Sequence, residues 1–128
     1  MLLLMSLLMS ETVEARLIEN AEIKTEYNEF EENYEENLYI LSHVINGEAC
    51  GCSWEMKVKV GSVVINRVHD ERFPDTIKDV VFQTGQYACT WDGNYDREPE
   101  DECIEAAEYL LENGSQYPDN VVWQANFM

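Results

Sequence analysis

The chain is poor in positive charge. Its 128 residues carry 8 Lys and Arg against 26 Asp and Glu, a formal net charge of −18. The imbalance is −8 over residues 1–37 and −10 over the remainder, so the acidity runs along the whole chain. No Lys/Arg cluster exists to track a phosphate backbone, which argues against nucleic acid as a partner. Charge attraction to anionic lipid is disfavoured for the same reason. Long apolar runs are also missing. The opening "MLLLMSLLMS" is half the roughly twenty apolar residues that a spanning helix needs, so no stable membrane insertion is expected. No base precedes Arg16, so the basic start of a secretory signal is absent too. The segment reads either as the remnant of a signal or anchor or as an N-terminal tag.

Paired-cysteine metal motifs are lacking as well. Four cysteines occur, Cys50, Cys52, Cys89 and Cys103, with no CxxC pair, and neither His43 nor His69 stands at zinc-finger spacing to a cysteine pair. A zinc site from Cys50, Cys52 and Cys89, a single disulfide in an exported protein, and free buried thiols are the three readings. The disulfide is preferred, and no metal or other cofactor is expected. No internal repeat is visible.

What is present is enough for one domain with a core: 45% of the residues are hydrophobic. Residues 1–33 read as an apolar start plus a Glu-rich arm or linker. The domain spans 34–128. Leu38, Leu41 and Ile45 recur at helical spacing, with Gly47 placed to end or loosen the helix. A second helix is expected from Trp54 to about Val68, capped by Ser53. It is apolar on a wide face, and Gly61 marks close approach by a neighbour. "RFPDTIKDVVFQ" predicts a turn at Pro74 and a short helix capped by Asp75 or Thr76. A long loop with an Asp92-Gly93 turn follows, then a helix from Pro99 to Asn113 stopped by Gly114. The closing "NVVWQANF" is strand-like.

One residue stands out against this pattern. Glu48 continues the apolar series of the first helix, so a carboxylate projects onto the inward face. An ionised carboxylate loses hydration there, which favours its neutral form. A neutral carboxyl can donate a proton to a leaving-group oxygen, the step that breaks a glycosidic bond. The bland reading is a helix-end Glu that faces solvent. The loop "GQYACTWDGNY" offers Gln86, Tyr87, Trp91 and Asp92. Rings can stack on sugar faces while amides and carboxylates bond hydroxyls. Its bland reading is a mixed loop whose aromatics, Trp91 included, belong to the core.

The ordered set Gly47-Glu48-Ala49, Gly51, Val64-Ile65-Asn66-Arg67-Val68, Phe73-Pro74, Thr76, Val80-Val81, Gln83 and Gly85-Gln86-Tyr87 resembles the catalytic domain of spore cortex-lytic bacterial cell wall hydrolases. "AAEYLLENGSQYPDNVVWQANF" continues the likeness, which covers residues 38–127. The resemblance implies a mostly α (α+β), lysozyme-like helical domain with a small β element. It implies cleavage of peptidoglycan glycan strands at N-acetylmuramic acid or muramic lactam, by a lytic transglycosylase or muramidase. It implies Glu48 as the general acid/base, and an exported protein of the cell wall or spore envelope. No second carboxylate is as clearly placed, although Asp92 is a candidate for stabilising positive charge on the sugar. A lytic transglycosylase works with one.

Three departures accompany the likeness. Cys50-Gly51-Cys52 replaces the Arg-Gly-Glu common after the Glu-Ala, and Lys59 stands where Ala is usual. The sequence ends at Met128, where family members continue with a Gly-rich turn and a further aromatic strand, so the C-terminal strand region is expected to be incomplete. A truncated, non-catalytic peptidoglycan-binding module is the alternative function. Because Cys52 follows the Glu48 turn and Cys89 lies in the candidate binding loop, a Cys52–Cys89 bridge is expected, with Cys50 and Cys103 free.

Overall fold

A computed structural model describes residues 33–123. Contacts divide the chain into Met1–Tyr34 and Glu35–Met128, and nearly all of the first unit lies outside the described residues. Five helices occur among the described residues: α1 (33–49), α2 (Trp54–Val68), α3 (Ile77–Val81), α4 (Cys89–Asp92) and α5 (Asp101–Asn113). The domain is mostly α, which fits the helical lysozyme-like architecture.

Helix α1 forms because Ile40, Leu41, Val44 and Ile45 repeat on one face, and all four are buried. The helix does not stop at Gly47. It continues to residue 49 and ends where Gly51 takes φ +78°, a region that a side chain would strain. Cys50 N donates to Asn46 O at 3.0 Å and Cys52 N to Ala49 O at 3.0 Å, closing the turn.

Helix α2 lies at the centre, packed against α3 and α5. The Ser53 hydroxyl accepts from Met56 N at 3.3 Å, the expected cap. A methyl at Gly61 would collide with Leu110 of α5 and lie 2.9 Å from Ile45 Cδ1 of α1. Glycine is therefore what lets both neighbours close onto the middle of α2. Thr76 rather than Asp75 caps α3, accepting from Asp79 N at 3.1 Å. Helix α5 begins at Asp101, after Pro99, and Gly114 follows its last residue.

The small β element is not formed among the described residues. Residues 121–123 have no regular secondary structure, and 124–128 of the strand-like segment lie outside the described residues. The reason is visible in the hydrogen bonds. Two polar side chains of α2 satisfy the carbonyls that a partner strand would otherwise take. Asn66 Nδ2 donates to Pro118 O and Val121 O, both at 3.0 Å, and Arg67 Nε donates to Val122 O at 2.7 Å. Buried Ser62 accepts Gln116 N at 3.1 Å just upstream. The C-terminal segment is thus tied to the central helix by side chains, with Val122 buried beneath it.

Candidate active site

Glu48 occupies the last turn of α1, between Gly47 and buried Ala49. Its side chain is half-buried, but Oε1 is fully enclosed and has no hydrogen-bond partner. Among the described residues it is the one carboxylate with an oxygen in that condition. A desolvated, unpaired oxygen costs free energy, on the order of 1–3 kcal/mol or more for a charged group. Such a group in a native fold calls for an explanation, and a catalytic role is one.

The loop from Tyr87 to Asp92 supplies the surroundings. Tyr87 is 1% exposed and its hydroxyl is likewise buried without a partner. Burial pushes that phenol up to about 12, with the Arg67 guanidinium opposing and the Glu48 carboxylate adding to the rise. Cys89, also 1% exposed, feels burial first and then the charge and hydrogen bond of Glu48, which raise its thiol to about 12. Glu48, Tyr87 and Cys89 therefore share one enclosed neighbourhood.

Arg67 was not singled out as a site residue by the sequence, where it reads as part of a helix motif. It is buried, and its guanidinium lies over three rings: Phe73 at 4.9 Å, Trp123 at 5.0 Å and Tyr87 at 5.2 Å. Its Nη1 donates to Gln86 Oε1 at 3.3 Å. One buried cation thus orients Tyr87, Gln86 and the C-terminal segment together. Gln83 carries a further buried, unpartnered oxygen, Oε1. The only sequence signal for these two is their membership of the ordered motif.

The other expected residues divide. Tyr87 cannot present a face to a sugar, because its ring is buried against Arg67 and its hydroxyl is enclosed. Trp91 is 62% exposed, which removes the core reading and leaves a free ring on α4. The Gln86 oxygen is engaged by Arg67, leaving its NH2 group. Asp92 is exposed, and its Oδ1 accepts Asn94 N at 2.9 Å in the turn at Gly93. That carboxylate holds the loop.

All four cysteines are free thiols, so the bridge expected between Cys52 and Cys89 is not formed. Cys89 is turned inward, engaged by Gly47 and Glu48, while Cys52 is half-buried past the α1 turn. No three His, Cys, Asp or Glu side chains among the described residues gather as a metal site, so Cys50, Cys52 and Cys89 do not converge.

Cys50 and Cys103 belong to a second polar neighbourhood. Cys50 Sγ donates to Glu100 at 3.2 Å and Gly51 N donates to the same carboxylate at 3.4 Å. Lys57 Nζ reaches Glu100 at 3.4 Å and Glu102 at 3.2 Å. Burial works against the Lys57 ammonium, but Glu102, Cys103 and Glu100 outweigh it and its pKa rises. Burial also raises the Cys103 thiol to about 11, with Lys57 opposing. Asn46 Oδ1 of α1 accepts Glu100 N at 3.0 Å and locks the start of α5 to α1. Lys59 lies half-buried with its ammonium 5.9 Å from the Tyr117 ring centroid.

Comparison with known proteins follows the same lines. A family model described as cell wall hydrolase matches residues 52–126, more than half of the chain, beginning after Glu48. The spore cortex-lytic enzyme of Oceanobacillus iheyensis is 33% identical over 76 residues, covering 59% of this chain and 28% of that protein. The spore cortex-lytic enzyme of Bacillus subtilis is 27% identical over 70 residues, 55% of this chain and 23% of that protein. The chain spans about a quarter of the length of these curated relatives. No solved structure matches it. No helix among the described residues is long and apolar enough to cross a membrane.

Proposed function

The chain belongs to the cell wall hydrolase family, and from that premise we propose that it cleaves peptidoglycan glycan strands at N-acetylmuramic acid or muramic lactam, with Glu48 as general acid and base. The observation that carries this reading is the buried, unpartnered oxygen of Glu48 beside the Tyr87 hydroxyl. A protonated Glu48 donates to the glycosidic oxygen as the C1–O bond breaks. The resulting carboxylate then takes the proton of the muramoyl 6-hydroxyl, whose oxygen attacks C1 and closes a 1,6-anhydro ring. This lytic transglycosylase route needs one carboxylate, and among the described residues Glu48 alone has a carboxylate oxygen enclosed without a partner. Trp91, with its ring exposed at the loop, is the residue to stack on a sugar. A site of action at the cell wall or spore envelope, outside the cytoplasm, follows from the substrate.

Purified peptidoglycan incubated with the protein, with the released muropeptides read by mass spectrometry, tests this. Anhydro-muramoyl ends are expected from the wild type and none from Glu48→Gln. Reducing muramic ends would assign a muramidase instead. Retention on peptidoglycan without release would assign a binding module.

A further inference from the structure

The thiol next to the proposed acid has no place in the chemistry above, yet it is packed with unusual closeness. A methyl at Gly47 would lie 2.6 Å from Cys89 Cβ and 2.8 Å from Cys89 Sγ, distances that real side chains do not adopt. Position 47 is therefore bare so that Cys89 can seat against α1, one residue from Glu48. The loop holds it there: Tyr95 N donates to Cys89 O at 3.0 Å, and Gly93 in the left-handed region turns the chain back. The hydroxyl of Thr90 and its backbone N–H both reach Tyr87 O, at 2.8 and 3.1 Å, so the residues on either side of the Ala88-Cys89 pair are bonded to each other.

We propose that Cys89 is a positioning residue for Glu48: its S–H donates to the carboxyl group and fixes the rotamer that aims the acid at the glycosidic oxygen. This rests on the reading of Glu48 given above. The groups facing the thiol are Glu48 from α1, Tyr87 from the preceding loop, Asp92 from its own helix and Tyr95 from the following loop. With its thiol raised to about 12, Cys89 stays protonated at neutral pH. It is a donor there, and neither a nucleophile nor a metal ligand. The free thiol is the working form, and the cost of a bridge to Cys52 would be the orientation of Glu48.

The test uses Cys89→Ala, Cys89→Ser and Glu48→Ala in the full chain, with soluble glycan strands as substrate. Cys89→Ala removes the donor and is expected to lower kcat about tenfold with KM little changed, as a loosened catalytic group does. Cys89→Ser keeps a donor of similar reach and is expected to restore most of that loss. A residue that merely fills space would not distinguish the two in kcat at matched Tm. Independently of activity, the Raman S–H stretching band of Cys89, isolated by difference against Cys89→Ser, is expected to move to the position of an unbonded thiol in Glu48→Ala. An unmoved band overturns the contact, and full kcat in Cys89→Ala overturns the positioning role. A wild-type protein that releases nothing defeats the Glu48 reading instead. A band that still moves then keeps the thiol–carboxyl contact, so the two failures are told apart.

Discussion

Two polar neighbourhoods flank the turn that ends α1, and they differ in how their hydrogen bonds are spent. On the Cys50 side the carboxylates and Asn46 have partners: Glu100 receives Cys50, Gly51 and Lys57, Glu102 also receives Lys57, and Asn46 receives Glu100 N. On the Glu48 side, Glu48 Oε1 and the Tyr87 hydroxyl are enclosed with none. A satisfied cluster contributes to folding. An unsatisfied one costs stability and keeps its bonding capacity for something that arrives. The few residues between Asn46 and Gly51 thus separate a structural joint from a candidate reaction centre.

The sharpest way to break that contrast is to exchange the losses. Glu48→Gln is expected to remove muropeptide release by roughly 10²–10⁴-fold, the usual worth of general acid–base catalysis. Its melting temperature should stay close to that of the wild type, since Gln keeps the size and shape of the side chain. A large fall in Tm with activity retained would reverse the assignment of the two neighbourhoods. Trp91→Ala follows in size. With the ring 62% exposed, truncation should change stability by less than about 0.5 kcal/mol. Glycan cleavage should fall several-fold through lost stacking, read as kcat/KM beside a thermal melt. An unfolded Trp91 variant would contradict the exposure, and a fully active one would take α4 out of the substrate path.

The satisfied side answers in the opposite currency. Asn46→Ala deletes the acceptor for Glu100 N and leaves a buried position next to the start of α5. It is expected to cost about 1–2 kcal/mol in a denaturant titration, with cleavage per folded molecule unchanged. Lost activity at full stability would mean that the joint is part of the reaction centre after all.

How much of this was legible beforehand depends on the range of the signal. The Ser53 cap, the Trp54–Val68 helix and the Gly114 stop are written in neighbouring residues, and all three appear in the fold. Gly61 was legible as a close approach because a glycine inside an apolar helix has few other uses. Gly47 was misread by the same rule applied too locally. It looked like a helix end, but its bareness serves Cys89, far along the chain. The burial of Tyr87, the ring cage of Arg67 and the clamp of Asn66 and Arg67 on the C-terminal segment are all contacts between distant stretches. Periodicity cannot reveal which distant partner a polar side chain will find. A strand-like composition likewise could not reveal that residues 118–122 would be bonded by side chains of a helix. The inward position of Glu48 was legible because a carboxylate broke the apolar pattern, and the family resemblance supplied the chemistry proposed for it.

The smallest effect expected distinguishes the two sides by pH. Cys50 first, then Gly51 N and Lys57, hold Glu100 below its usual range by bonding to its charged form. A carboxylate whose folded pKa is depressed contributes stability that is fully present above its unfolded value. That contribution is lost as pH falls through the folded one. Here the ordinary value is 4.5, so the loss begins as the pH drops to about 5 and continues below it. Glu100→Gln removes this dependence. Its Tm should lie slightly below wild type at pH 7, and the gap should narrow as both are acidified below pH 5. Because Glu100 is open to solvent, the gap is small and salt should shrink it further. A gap that widens toward low pH would mean that the Glu100 carboxylate is not held in its charged form, and the satisfied side would lose its central acceptor.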